Sequence, residues 1–223
     1  MTTTVRTPTG RHPGAGWRVA LALVALSAIP LGAGTLRLVQ LAGGPDLVPA
    51  DVRFAGFPAA LVVHIVASAV FALAGVLQLV ASFRRRHLTW HRRSGRVLAA
   101  CGLVVAGSAL WLTLGYPPRP GTGPVLFVAR LLVASGMAAS IVLGFRAIRR
   151  QDVDAHRAWM VRAYALGLGA GTQAFTEGLT EAVVGTGELS GDLAKLAGWL
   201  VNLGVAELAI RRTRAAASPR RSR

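Results

Sequence analysis

Six apolar stretches alternate with short polar segments along the chain, over residues 17–36, 57–83, 94–115, 124–145, 159–184 and 193–210. At about 1.5 Å of rise per residue, a helix of this length crosses a hydrocarbon core of about 30 Å, whereas helices in soluble cores are seldom so long and so free of charge. The pattern predicts an all-α integral membrane bundle of about six transmembrane helices. Pro58 and Pro124 fall in the first turns of their helices, where a missing N–H costs little, while Pro30 lies inside the first span and should kink it. Trp17, Trp90, Trp111, Tyr116 and Trp159 sit near span ends, as an interfacial aromatic belt requires.

Composition agrees: of 223 residues, 53% are hydrophobic and 15% charged, well below the charge of an ordinary globular chain. Those charges are segregated, and their placement predicts orientation. The first tail carries Arg6, Arg11 and Arg18, and the loop after the second span Arg84, Arg85, Arg86, Arg92, Arg93 and Arg96. The loop after the fourth adds Arg146, Arg149, Arg150, Arg157 and Arg162, and the last tail Arg211, Arg212, Arg214, Arg220, Arg221 and Arg223. Twenty of the 25 Lys and Arg residues thus fall on one side, while the opposite loops hold Asp46, Asp51, Glu188 and Asp192. An even span count with both termini in the cytoplasm satisfies every segment, and it implies a multi-pass protein of the cytoplasmic membrane.

On this reading residues 17–210 form one transmembrane domain between disordered basic tails at 1–16 and 211–223. An alternative makes the first span a secretory signal, because basic residues precede it and Gly32, Ala33 and Gly34 follow. The net charge of +16 invites a nucleic-acid reading, but no basic patch interleaved with aromatics lies on a soluble fold. Contact with anionic lipid headgroups accounts for the arginines instead. The single cysteine, Cys101, lies in an apolar span and has no partner within the chain for a disulfide.

Two hairpins resemble one another, spans two and three and spans four and five. Each passes through an arginine cluster and a His-Arg pair, with 27 positions from His64 to His91 and 26 from Arg130 to His156. Duplication explains this, and so does the positive-inside rule acting twice.

Helical rise places His64, Arg130 and Glu177 at one depth, about 9 to 10 Å below the outer boundary. Burying such a group alone costs on the order of 2.5 to 3.5 kcal/mol, so the three should face the bundle interior and partner one another. Gly169, Gln173, Glu177 and Glu181 recur every four residues as a polar stripe, and Gly167 and Gly171 form a small-xxx-small pair that admits a close neighbour. A ligand or proton site at His64, Arg130, Gln173, Glu177 and Glu181 is the leading expectation. A structural ion pair locking the bundle, or an arginine snorkelling to the interface, are the alternatives.

His87, His91 and His156 lie on the basic side. Arginines surround them and no carboxylate stands nearer than Asp152 and Asp154, so no metal site is expected. Haem b between His91 and His156 stays open, although both look shallow for a porphyrin; His64 has no histidine at its own depth. Gln78, Asn202 and Glu207 are expected to make interhelical hydrogen bonds. No phosphate loop, nucleophile elbow or paired-cysteine motif appears, and nothing points to an enzyme.

The run from His64 through Gly75 and Gln78 to Trp90-His91-Arg92 and Gly95-Arg96, and then His156-Arg157-Ala158-Trp159-Met160-Val161-Arg162, resembles the uncharacterised bacterial membrane-protein family numbered 2306 among domains of unknown function. The likeness covers residues 57–185, and its most specific element is the His-Arg-x-Trp-Met-x-Arg run. It implies that Gln78, His91, Arg96, His156, Trp159, Met160 and Arg162 form a cytoplasmic-side motif, and it carries no activity. Three functions therefore remain open: binding or moving protons or a small polar molecule, haem-based redox chemistry, and a scaffold without substrate.

Overall fold

A computed structural model describes residues 14–49, 51–54 and 58–217. The expected start of the second span at Phe57, and the tail residues 1–13 and 218–223, lie outside them. The described residues are mostly helical, and none lies in a strand. In order come α1 (Gly14–Leu41), a 3-10 turn (Val52–Phe54), α2 (Ala59–Leu79), α3 (Ala81–Arg86), α4 (Leu88–Gly115), α5 (Pro124–Arg149), α6 (Val153–Gly167), α7 (Gly169–Val184) and α8 (Glu188–Ala217).

Five segments, Gly16–Leu41, Ala59–Leu79, Leu88–Gly115, Pro124–Arg149 and Glu188–Ala216, are each long and apolar enough to cross a membrane. The expected fifth span is different. It breaks at Leu168 into α6 and α7, of 15 and 16 residues, each too short alone at about 1.5 Å per residue. The cause is local: Gly167, Gly169 and Gly171 crowd three poor helix formers into five positions. Two smaller differences follow the same logic of local sequence. The second span ends at Leu79 and is followed by the short α3, and α8 continues past Ile210 to Ala217, so Arg211, Arg212 and Arg214 are helical where a disordered tail is expected.

Helix α5 is central, packing against α4, α6 and α8, while α2 pairs with α4 and α7 with α8. A buried apolar cluster including Phe71, Val76, Val105, Met137, Ile141, Tyr164 and Leu166 joins α2, α4, α5 and α6. α1 lies against α2 and α7. There Gly171 leaves no room for a Cβ beside the Leu26 backbone, whereas Gly167 faces Phe71 and Met137. The small-xxx-small pair thus serves two different neighbours.

Backbone groups freed in the interior are satisfied from α8. At the break, the carbonyl of Ala165 accepts from Asn202 Nδ2 at 3.2 Å, and Thr172 donates to Asn202 Oδ1 at 2.7 Å. One side chain therefore spans both sides of the interruption, which lipid could not do. At the amino end of α5, where Pro124 has no N–H to give, Asp192 accepts from Gly123 N at 3.1 Å and Leu126 N at 2.9 Å. Its side chain comes from another helix and is 1% exposed.

Replacing Asn202 by Leu should cost about 1 to 2 kcal/mol in reversible unfolding in bicelles and speed hydrogen exchange around Leu168; unchanged exchange there would show that the break does not depend on Asn202. Asp192→Leu strands the Gly123 and Leu126 amides and should cost about 2 to 4 kcal/mol, with Asp192→Asn, which keeps an acceptor, losing less than half as much. Equal losses for the two would contradict the capping role.

Candidate functional site

The polar residues divide between two ends of the bundle, one rich in arginine and one carrying the acids. At the acidic end the expected trio does not close on itself. His64 on α2 is bonded through Nδ1 to Ser108 Oγ on α4 at 2.9 Å. Ser108 Oγ also lies 2.7 Å from the Val104 carbonyl, so the hydroxyl links His64 to the α4 backbone. Glu177 pairs with Lys195 of α8 at 2.7 Å rather than with Arg130. Partner choice here follows helix adjacency, since α7 lies along α8.

The α7 stripe accordingly faces α8. Gly169 receives the edge of Trp199, Gln173 donates to the Lys195 carbonyl at 3.0 Å, and Glu177 meets the Lys195 ammonium. Glu181, one turn on, is exposed. Arg130 on α5 is half-buried and makes no hydrogen bond or ion pair among the described residues. Asp192 and Glu177 are the acids that act on it electrostatically, with Arg53 and Arg119 acting in opposition. Both of those acids are already engaged, Asp192 by backbone amides and Glu177 by Lys195. The guanidinium keeps its donors free.

The loops on this side are tied down separately. Arg37 bonds Gln40 and the Pro49 carbonyl, and Gln40 in turn holds Asp46. Arg53 clasps Asp51 at 2.6 Å and holds its carboxyl below the usual carboxylate range.

At the basic end the two arginine loops lie together: Arg84 acts electrostatically on His91, Arg157 on Arg84, and His156 on His91. Both loops therefore occupy one face of the bundle, as the charge pattern requires. Burial, then the charges of Arg157 and Arg85, push the Arg84 guanidinium below the ordinary arginine range. Gln78 donates to Ser94 at 2.8 Å, and Arg84 to the Gln78 carbonyl at 3.0 Å. Arg96 is exposed and His91 Nδ1 is buried without a partner, the only such side-chain atom among the described residues.

The His-Arg-x-Trp-Met-x-Arg run works as a fastening of α6. His156 bonds the Gly144 carbonyl at 2.9 Å through Nδ1, and Trp159 and Met160 close over Gly144, where a Cβ would crowd them. Arg162 stacks on Trp159, 4.7 Å from the ring centroid, and grips Glu207 of α8 with two bonds of 2.5 and 3.0 Å. This bidentate geometry is the strong form of an ion pair. Four of the seven motif residues thus join α6 to α5 and α8.

The residues that sequence reasoning missed are Ser108, Asp192 and Lys195. Asp192, Lys195, Trp199, Asn202 and Ala206 are spaced three and four apart, a single face of α8, and that spacing was the available signal. No group of three or more His, Cys, Asp or Glu residues that could hold a metal ion occurs among the described residues.

No curated protein and no solved structure matches the chain. A family model described as predicted membrane protein (DUF2306) matches residues 61–210, which takes in the last helix as well as the hairpins that carry the resemblance. With the match running through the apolar helices, the His-Arg-x-Trp-Met-x-Arg fastening and the α8 face that receives it, this chain belongs to the DUF2306 family of membrane proteins.

Proposed function

We propose that this membrane protein binds or passes a small polar molecule, or protons, at the acidic end of the bundle, and that Arg130 is the group that meets a negatively charged ligand. The observation that supports the reading is the free guanidinium of Arg130 beside two acids that are both occupied. An arginine at membrane depth without a partner in the protein is costly, and an anion offers it the planar, bidentate bonding it lacks. Glu177, 41% exposed, and Lys195, 21% exposed, line the same region as an ion pair that can open and exchange protons. On the positive-inside rule the arginine-rich end lies in the cytoplasm, so this site opens to the other side of the inner membrane, and the arginine loops rest on anionic headgroups.

A second reading, a redox protein holding haem b at the basic end, draws on the bare Nε2 that His156 keeps while its Nδ1 bonds Gly144, and on the unpartnered Nδ1 of His91. Arg84 and Arg92 would then meet the propionates.

Thermal unfolding of the detergent-purified protein against chloride, bicarbonate, acetate and short dicarboxylates tests the first reading. A ligand at about 100 times its Kd stabilises by about 2.7 kcal/mol, so the wild type should show a clear rise in Tm with at least one anion, lost in Arg130→Ala and partly kept in Arg130→Lys. No response to any anion, or an identical response in Arg130→Ala, favours a scaffold without substrate. For the second reading, protein from haem-replete cells should show a Soret band that His91→Ala or His156→Ala removes; a spectrum without the band eliminates it.

A further inference from the structure

Three features of the basic end sharpen the contact with anionic headgroups proposed above, and the inference drawn from them rests on that reading. First, Arg84, Arg85, His91 and Arg157 form a cluster of like charges drawn from two hairpins, with no ion pair to them among the described residues. Arg84 acts electrostatically on His91 and experiences Arg85 and Arg157, and no carboxylate acts on either residue. None of the six arginines from Arg84 to Arg96 makes an ion pair among the described residues, where the three pairs present all lie elsewhere. Of the acids on the adjoining loop, Asp152 accepts from Ala155 N as the cap of α6, and Asp154 is exposed on the same helix.

Second, a shallow, open cleft of about 470 Å³ lies at the turn next to Arg84, lined by the consecutive residues Arg85, Arg86, His87, Leu88, Thr89 and Trp90. Its walls therefore offer two guanidinium groups, an imidazole, a hydroxyl and an indole. Third, Arg84 is anchored by its bond to the Gln78 carbonyl, and Phe83 packs against both His87 and Trp90, with ring centroids 4.7 and 5.0 Å away. The turn that forms the cleft is thus held in shape rather than left free to spread its charges into water.

Cations fixed together at a membrane surface repel one another unless a counter-ion joins them, and arginine forks match the oxygens of a phosphate. We propose that this cleft holds a phosphate group, contacted by Arg85, Arg86 and His87, with Arg84 and Arg157 nearby supplying charge that no ion pair among the described residues neutralises. The phosphate belongs either to the headgroup of an anionic lipid or to a free phosphate or phosphoester from the adjoining solution. Trp90 and Leu88 give a lipid glycerol backbone an apolar wall, whereas a soluble phosphate uses the cationic groups alone.

The test measures Tm of the full chain in detergent with two probes. One is inorganic phosphate, set against sodium chloride at equal ionic strength. The other is phosphatidic acid in mixed micelles, set against phosphatidylcholine. Stabilisation by phosphatidic acid alone assigns the site to lipid, and stabilisation by both probes assigns it to the phosphate group itself. In either case Arg85→Gln with Arg86→Gln should weaken the half-maximal response roughly fivefold per arginine, while Arg211→Gln with Arg212→Gln on α8 leaves it unchanged. Arg85 and Arg86 are exposed, so the double variant keeps its fold, and its unliganded Tm confirms this. Responses no larger than those to chloride and phosphatidylcholine, or equal weakening by the α8 variant, overturn the proposal.

Discussion

A polar group inside oil must find its partner on a neighbouring helix, and in this bundle one face of α8 supplies most of those partners. Asp192 completes the amino end of α5, Lys195 meets Glu177 and Gln173 of α7, and Trp199 fills the space beside Gly169. Asn202 bridges the break between α6 and α7, and Glu207 holds Arg162. Charge-assisted bonds of this kind contribute roughly twice what neutral ones do. The apolar cluster of α2, α4, α5 and α6 gives the bundle bulk, but lipid tails are as apolar as leucine, so the cluster alone does not select one arrangement of helices. The stripe on α8 does.

This division clarifies what the family motif is for. Its histidine (through Nδ1), tryptophan, methionine and last arginine fasten α6 to Gly144 and Glu207. Side chains without an ion pair among the described residues lie elsewhere, Arg130 at one end and the arginines from Arg84 to Arg96 at the other.

Helix content and membrane character were legible because they depend on length and apolarity, which are one-dimensional. The gathering of the Arg84 and Arg157 loops on one face was legible for the same reason, through alternation of the spans. Depth alone, however, does not name a partner. His64, Arg130 and Glu177 share a level, yet His64 turns to Ser108 and Glu177 to Lys195, because rotation about each helix axis and the order of helices around the bundle decide who meets whom. The break at Leu168 was hidden by a second meaning of its own signal: glycines that allow close packing also weaken a helix. Gly171 does serve as a close contact, against Leu26 of α1, while the glycines around Leu168 end α6. Asp192 read as a loop acid because it follows a polar stretch, and its burial depends on the distant amino end of α5.

The dependence on α8 also bears on how the chain is made. α8 leaves the ribosome after α5, α6 and α7, the three helices it packs against. Until it enters the bilayer, the Ala165 carbonyl, the Leu126 amide, the Glu177 carboxylate and the Arg162 guanidinium all lack the partners they have at the end. The nascent bundle therefore passes through a stage in which four polar groups are exposed to lipid or to the insertion machinery, and arrival of one segment quenches them together. Biogenesis of this protein is thereby weighted toward a late, concerted step instead of a helix-by-helix accumulation of stability.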